Sequence, residues 1–318
     1  SRRSLPPYAS PYLPRPSRHS SLRRAPSVVN SVGVSALAFA EHERRVEAIG
    51  ALREATFLSV RDSESSRFLK RMGISHSVAP DIVHTIQDWL GAPPRDGRDV
   101  ALVQLSAEVL GRVGSHAVAK ALAGSVPARF TLRVFFAGEA PGHDSREGME
   151  IVASEYRKLT SRPVEVSEAL TAHDKAAEIA RASLWIGTSL HGFIVATAYG
   201  VPRVGLEIQK VAQYARTWDI QAPVAVKMTD LQRAVEAALE RNSISSMREA
   251  RRLRALAHAN SVSAIAAIES AKPATLARLR EEQAALTQLW LQQRPRAYVE
   301  WLRVFKARAR RRARRVKW

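Results

Sequence analysis

The chain has 318 residues, of which 46% are hydrophobic and none is cysteine, and its formal net charge is +19. That length can bury a sizeable core in one large or two ordinary domains. The cysteine count excludes a disulfide framework, a thiolate metal site and a cysteine nucleophile, and fits a reducing compartment; no apolar run approaches the length of a membrane span.

The charge is concentrated at the two ends. Residues 1–26 carry six basic side chains and residues 303–318 carry nine, with no acid in either stretch, which leaves 34 basic and 30 acidic residues between them. The body is therefore near-neutral. Cationic ends attract phospholipid, nucleic acid or anionic glycan alike, so charge selects no partner and gives no reason to favour nucleic acid.

Residues 1–27, rich in Pro, Ser and Arg, read as a disordered leader, too poor in apolar groups to offset the entropy of ordering. Their composition also resembles a transit peptide, but Pro6, Pro7, Pro11, Pro14 and Pro16 oppose the amphipathic helix such a peptide needs. Val28–Val34 reads as a strand ending near Gly33, Glu41–Arg53 as a helix and Thr56–Val60 as a strand. Asp62 or Ser63 caps the next helix, with Phe68, Leu69 and Met72 on its buried face and Gly73 as its stop. Ser75–Ala79 is a short strand.

Pro93–Gly97 reads as a linker, after which strands and helices alternate. The strands are Val100–Leu105, Phe130–Ala137, Val164–Ser167, Leu184–Ile186, Arg203–Leu206 and Val224–Val226. The helices are Glu108–Ala123, Arg146–Leu159, His173–Ala182, Leu190–Tyr199, Lys210–Trp218 and Thr229–Glu240. Continuous apolar strands alternating with helices predict a parallel sheet covered on both faces. Beyond Ser246 only helices are expected, over Met247–Ala271, Thr275–Gln293 and Arg296–Arg315, the last with a Tyr298, Trp301, Leu302 and Phe305 stripe before its arginines. The expected domains are thus 1–27, 28–92, 93–245 and 246–318.

In an open parallel sheet, ligands bind beyond the carboxyl ends of the strands, where helix N-termini favour anions. Thr188-Ser189-Leu190-His191-Gly192 follows a buried strand and opens a helix. Thr188 or Ser189 can cap it, and His191 sits in its first turn, suited to pair with an anion or donate a proton near neutral pH; the alternative is a histidine that only caps. Arg61, directly after the strand Thr56–Val60, fits a carboxylate or phosphate, or else pairs with Asp62 or Glu64. Lys210, beyond the strand Arg203–Leu206, is a third cation that position alone leaves as a solvated helix start. His143-Asp144 is a weaker candidate, since adjacent residues seldom face one another. Phosphate-loop, dinucleotide, nucleophile-elbow and metalloprotease motifs are absent, and the nine histidines show no metal-ligand spacing, so no metal and no cofactor are expected.

Several stretches together resemble a known family. They are Asn30-Ser31-Val32-Gly33-Val34, Leu58-Ser59-Val60-Arg61-Asp62 with Ser65 and Leu69, and Ala79-Pro80-Asp81. The longest runs from Ile179-Ala180 through Ile186-Gly187 and Ser189-Leu190-His191-Gly192 to Ala196, Gly200-Val201-Pro202 and Lys210. In this order they are similar to the polysaccharide pyruvyl transferases. The resemblance implies an α/β, GT-B-like fold with a cleft between two Rossmann-like halves. The second half is complete here, the first is expected to be a truncated remnant, and a helical C-terminal extension follows; an enzyme needing both halves would be inactive in this form.

The resemblance further implies transfer of the enolpyruvyl carbons of phosphoenolpyruvate onto two hydroxyls of a saccharide or lipid-linked saccharide, giving a pyruvate ketal. His191 matches a position of acid catalysis or donor binding. Arg61 likewise matches a position of donor binding or acid catalysis, and Lys210 matches a recurrent family lysine; with the Thr188, Ser189 and Gly192 turn, read above as an anion site, they are the expected substrate-binding residues. Many members carry arginine where this chain has Ser189, so the donor stays open, and a GT-B-like glycosyltransferase using another activated donor is the second reading. A noncatalytic polyanion- or membrane-binding protein is the third. The expected location is the cytoplasm, with the basic tail touching the anionic inner membrane face.

Overall fold

The computed structural model describes residues 26–40, 42–91, 99–138 and 143–271. The leader, the expected linker at Pro93–Gly97 and the helices expected at Thr275–Gln293 and Arg296–Arg315 lie outside these residues. The chain divides into two compact units. The described part of one is helix α1 (His42–Glu54), whose Arg53 lies in the last turn, where a cation complements the helix dipole. The other comprises Val28–Phe39 and Thr56–Ser270.

Two parallel sheets organise this unit. The smaller has the order β1-β2-β3, from β1 (Val28–Val32), β2 (Phe57–Val60) and β3 (Ser77–Val78). Its β1 register shifts between Val29 and Val32, where Ser31 takes a left-handed conformation (φ 49°) and donates its N–H to Ser59 Oγ (2.8 Å). Helix α2 (Ser63–Arg71) follows β2, capped by Asp62, whose carboxylate accepts from the N–H of Ser65 at 2.7 Å. A 3-10 turn at Ile82–Thr85 and α3 (Gln87–Leu90) lead out of this sheet.

The larger sheet has five strands: β4 (Val100–Gln104), β5 (Thr131–Val134), β6 (Val164–Val166), β7 (Leu184–Gly187) and β8 (Arg203–Gly205), in the order β6-β5-β4-β7-β8. All neighbours are parallel. The central strand β4 is buried along its whole length. Its Ala101 and Val103 join the core beneath α5 (Ser115–Ser125), α6 (Arg146–Thr160) and α10 (Leu231–Glu240). Val100 and Leu102 face α7 (Ala172–Arg181), α8 (Leu190–Ala198) and α9 (Gln209–Trp218) instead. This side-to-side alternation explains why the sequence reads as a continuous apolar run.

Two expected elements differ. The helix expected over Glu108–Ala123 is two helices, α4 (Ala107–Val113) and α5, because Gly114 between them adopts φ 85°. Val224–Val226 is no strand: it contributes one bridge, from Val226 to Leu206, beside Ala225 at φ 56°.

The long helix α11 (Ser243–Glu269) starts at the cap Asn242 and ties the two sheets together. It packs on α8, on the Ile82–Thr85 turn, and on β1 and β2. Its buried Asn260 donates through Nδ2 to Asn30 Oδ1 (2.5 Å), Ser59 Oγ (3.1 Å) and Ser31 Oγ (3.2 Å). A second buried polar cluster fixes the sheet edge: Arg203 donates to Asp219 Oδ2 through Nε (2.9 Å), and Arg241 donates to Oδ1 (2.7 Å). The carboxylate and Arg203 are nearly inaccessible, so removing one partner would leave a buried charge uncompensated.

Candidate functional site

In the larger sheet the strand order reverses between β4 and β7, whose ends meet where Gln104 pairs with Gly187. Ligands bind at such a switch point. The chain leaves β7 through Thr188 and enters α8 with Ser189 as N-cap, its hydroxyl accepting from the Gly192 N–H at 3.2 Å. Ser189 is thus the cap, of the two candidates. Eight of the nine residues of α8 are buried, and the exception is His191.

Both glycines of this turn are required by Trp185, the large buried residue of β7. A Cβ on Gly187 or on Gly192 would lie 2.7 Å from the indole Cζ2. The ring therefore sets how closely the first turn of α8 approaches the sheet.

Thr188 is consumed internally. It is 2% exposed, and its hydroxyl donates to Gln104 Oε1 (3.2 Å) and accepts from the Ser106 N–H (2.9 Å). Gln104, equally buried, also accepts from the N–H groups of Thr188 (3.0 Å) and Ser189 (2.7 Å), and donates through Nε2 to Asp144 Oδ1 (2.6 Å). The other Asp144 oxygen accepts from the N–H groups of Ala137 (2.6 Å) and Gly138 (3.3 Å). Burial raises the Asp144 carboxyl above its ordinary range, with these hydrogen bonds opposing the shift. His143 is exposed, gives its backbone carbonyl to the Ala107 N–H (2.7 Å), and reaches the Asp144 carboxyl only through its charge, the smallest of the influences lowering that group's pKa.

The other cations converge on His191. Arg61 leaves the end of β2 and lies 3.7 Å from Asp81 Oδ2. Its guanidinium rests against Gly33, where a Cβ would come within 2.7 Å of Nη2, and its Nε is buried without a hydrogen-bond partner. Lys210 is exposed in the first turn of α9. His191 reaches solvent, yet burial is the largest influence on its ring and lowers its pKa; Asp81 acts in the opposite direction, while Arg61 and Lys210 lower it further. Thus His191, Arg61 and Lys210, far apart in the chain, share one electrostatic environment with Asp81 between the two sheets.

Side chains from both sides hold this arrangement. The Tyr214 hydroxyl, four residues on from Lys210 in α9, accepts from the Asp81 N–H (3.2 Å) and bonds His84 Nε2 (2.8 Å). His84 is buried, and desolvation above all lowers its pKa to about 3, so it is neutral at physiological pH. Trp218 Nε1, at the end of α9, donates to the Arg61 carbonyl at 2.6 Å. The helix carrying Lys210 therefore also positions Arg61 and Asp81.

Asp81 is not marked by the sequence as a site residue beyond its place in Ala79-Pro80-Asp81, and Gln104 is signalled only as a polar side chain at the carboxyl end of an apolar central strand. Among the described residues no group of three or more His, Asp and Glu is placed to hold a metal ion. The arrangement brings together the Arg61 guanidinium, the exposed Lys210 ammonium, an imidazole and a helix N-terminus capped by a neutral hydroxyl.

Residues 8–209 match the family model for polysaccharide pyruvyl transferase. The chain belongs to the polysaccharide pyruvyl transferase family. The match contains Arg61, Asp81 and His191 and ends one residue before Lys210. A search of curated proteins gives no match. Among solved structures, a Listeria monocytogenes protein assigned as a UDP-N-acetylglucosamine 2-epimerase is similar with a TM-score of 0.53 and 14% identity, over 78% of this chain and 69% of that one. UDP-GlcNAc 2-epimerases from Neisseria meningitidis, bound to UDP-GlcNAc, and from Methanocaldococcus jannaschii each give 0.50. Their identities are 10% and 16%, over 76% and 72% of this chain and 69% and 70% of theirs. The likeness is one of fold, the GT-B-like α/β architecture. No helix among the described residues is long and apolar enough to cross a membrane.

Proposed function

We propose that this family member transfers pyruvate from phosphoenolpyruvate to a sugar of a cell-surface polysaccharide or its lipid-linked precursor, as a ketal. The observation that carries this reading is the convergence of Arg61, Lys210 and the solvent-open His191 at the α8 N-terminus, around Asp81. Phosphoenolpyruvate presents a phosphate and a carboxylate, and two cations plus a helix end match that charge.

In this reading Arg61 and Lys210 hold the donor's anionic groups. His191, neutral when the site is empty, gains a proton as the bound anion favours its charged form. It then protonates the methylene carbon of the enol, leaving an electrophilic centre at the adjacent carbon. One sugar hydroxyl adds there and loses its proton; phosphate departs with the C–O bonding pair, and the second hydroxyl adds and loses its proton, closing the ketal. One of the two released protons restores His191 and the other leaves with solvent or phosphate. Asp81, beside both Arg61 and His191, orients the first and holds the second's charge. The compartment this reading assigns is the cytoplasm, at the inner membrane face when the acceptor is lipid-linked.

The test is phosphoenolpyruvate-dependent phosphate release with ketal formation on a saccharide acceptor, assayed with both halves of the cleft present. His191→Ala is expected to lower the rate by about 100-fold or more, in the range of general acid catalysis, without changing the melting temperature. Undiminished turnover in that variant would remove His191 from the mechanism. Stabilisation of the protein by UDP-GlcNAc and not by phosphoenolpyruvate would favour another donor.

A further inference from the structure

We propose that Gln104 and Asp144 form a polarity-setting pair, in which a neutral amide faces the α8 turn and the carboxylate stands one side chain behind it. The proposal rests on the reading that the α8 turn receives an anion. Gln104 is a positioning residue here and touches no substrate.

The orientation of the Gln104 amide is fixed by its partners. One end meets three donors, the N–H and O–H of Thr188 and the N–H of Ser189, so it must be the oxygen; the other meets the Asp144 carboxylate, so it must be the nitrogen. Asp144 in turn is held by the Ala137 and Gly138 N–H groups in the loop that follows β5. The chain of bonds therefore runs from that loop through β4 to the turn that carries His191.

A glutamate at position 104 would accept the same three bonds, and asparagine at 144 would return the fourth with its direction reversed. Packing and hydrogen bonding thus permit either arrangement of the charge. They differ in where it sits. With glutamine at 104, the positive end of α8 is not neutralised from beneath and stays available to an incoming anion. With glutamate there, a carboxylate would lie directly against Ser189, two residues from His191, joining Asp81 and opposing Arg61 and Lys210 in setting the imidazole's charge.

The experiment compares the wild type with Gln104→Glu/Asp144→Asn. Three readings are taken: melting temperature, sulfate affinity by calorimetry, and the His191 pKa by NMR titration. Sulfate is chosen because it does not itself titrate near neutrality. The double variant is expected to melt like the wild type, to bind sulfate about tenfold more weakly, and to show a His191 pKa raised by about half a unit. Unchanged sulfate affinity and an unchanged His191 pKa in a normally melting double variant would overturn the proposal and leave the pair a purely structural brace.

Should the double variant fail to fold, Asp144→Asn alone removes the charge without advancing it. It is expected to leave the His191 pKa and the sulfate affinity close to the wild-type values, because the charge at 144 stands back from the turn; a shift of about half a unit or more overturns the proposal. Phosphoenolpyruvate serves as a separate arm. If it stabilises neither protein while sulfate and His191 respond as expected, the donor assignment falls and the polarity pair stands.

Discussion

Two strand-to-helix junctions face the same site, and they handle the same helix-end electrostatics in opposite ways. After β2, α2 is capped by the Asp62 carboxylate and has Glu64 in its first turn, so its positive end is already answered by the chain. After β7, α8 is capped by the Ser189 hydroxyl, has no acid in its first turn, and is braced from beneath by a neutral amide. The first junction contributes a cation through Arg61, which precedes the cap; the second contributes an unneutralised helix end and an imidazole. A helix N-terminus stays open to an outside anion where the sequence withholds its own carboxylate.

The largest effect on this comparison should come from its packing. Gly192→Ala drives a methyl group into the Trp185 ring and is expected to destabilise the protein by about 1–3 kcal/mol, read from denaturant unfolding. A variant as stable as the wild type would show that the α8 turn can shift away from the ring. Next, Ser189→Asp makes the second junction imitate the first. It should keep or raise stability, because aspartate caps as well as serine, yet weaken sulfate binding about tenfold. Equal affinity would mean that the helix end takes no part in binding.

The reverse manipulation is milder. Asp62→Ala should cost about 1 kcal/mol of stability through the lost cap and leave sulfate affinity near the wild-type value. A large loss of affinity would show that the two junctions are not independent.

The smallest effect is the pH dependence of sulfate affinity. Because His191 has a lowered pKa, it is neutral at pH 7 and binds its proton only as pH falls below 6.5 through that lowered value. Sulfate affinity should therefore rise a few-fold on acidification and become flat in His191→Gln. Stability moves the other way: the unfolded chain protonates this histidine first, so its contribution in the empty protein is present above about pH 6.5 and is lost below it. An affinity independent of pH would separate His191 from the anion.

Much of this was legible in one dimension. The apolar strands Val100–Gln104 and Leu184–Gly187, the start of α2 at Asp62 or Ser63 and the stretch Ser189–Gly192 announce themselves by local composition, because apolar periodicity and helix capping involve near neighbours in the chain. Arg61, His191 and Lys210 could be singled out as residues following strands. Gly114 could not be read as a break between α4 and α5, since glycine inside a helical pattern is common and only the achieved φ of 85° distinguishes it.

The tertiary structure decided which chemistry these residues share. Thr188 and Ser189 are adjacent and alike in polarity, yet one is buried against Gln104 and the other caps α8, a distinction set by a strand 84 residues away from Thr188. Asp81 acquired a place in the site only because the smaller sheet brings it to Arg61 while Tyr214 of α9 holds its backbone. The sequence by itself determined the alternating α/β elements and the family motifs, which depend on local pattern. Which cations gather, which carboxylate stands among them and which stands back depended on long-range packing, because Coulomb interactions follow distance through space and not separation along the chain.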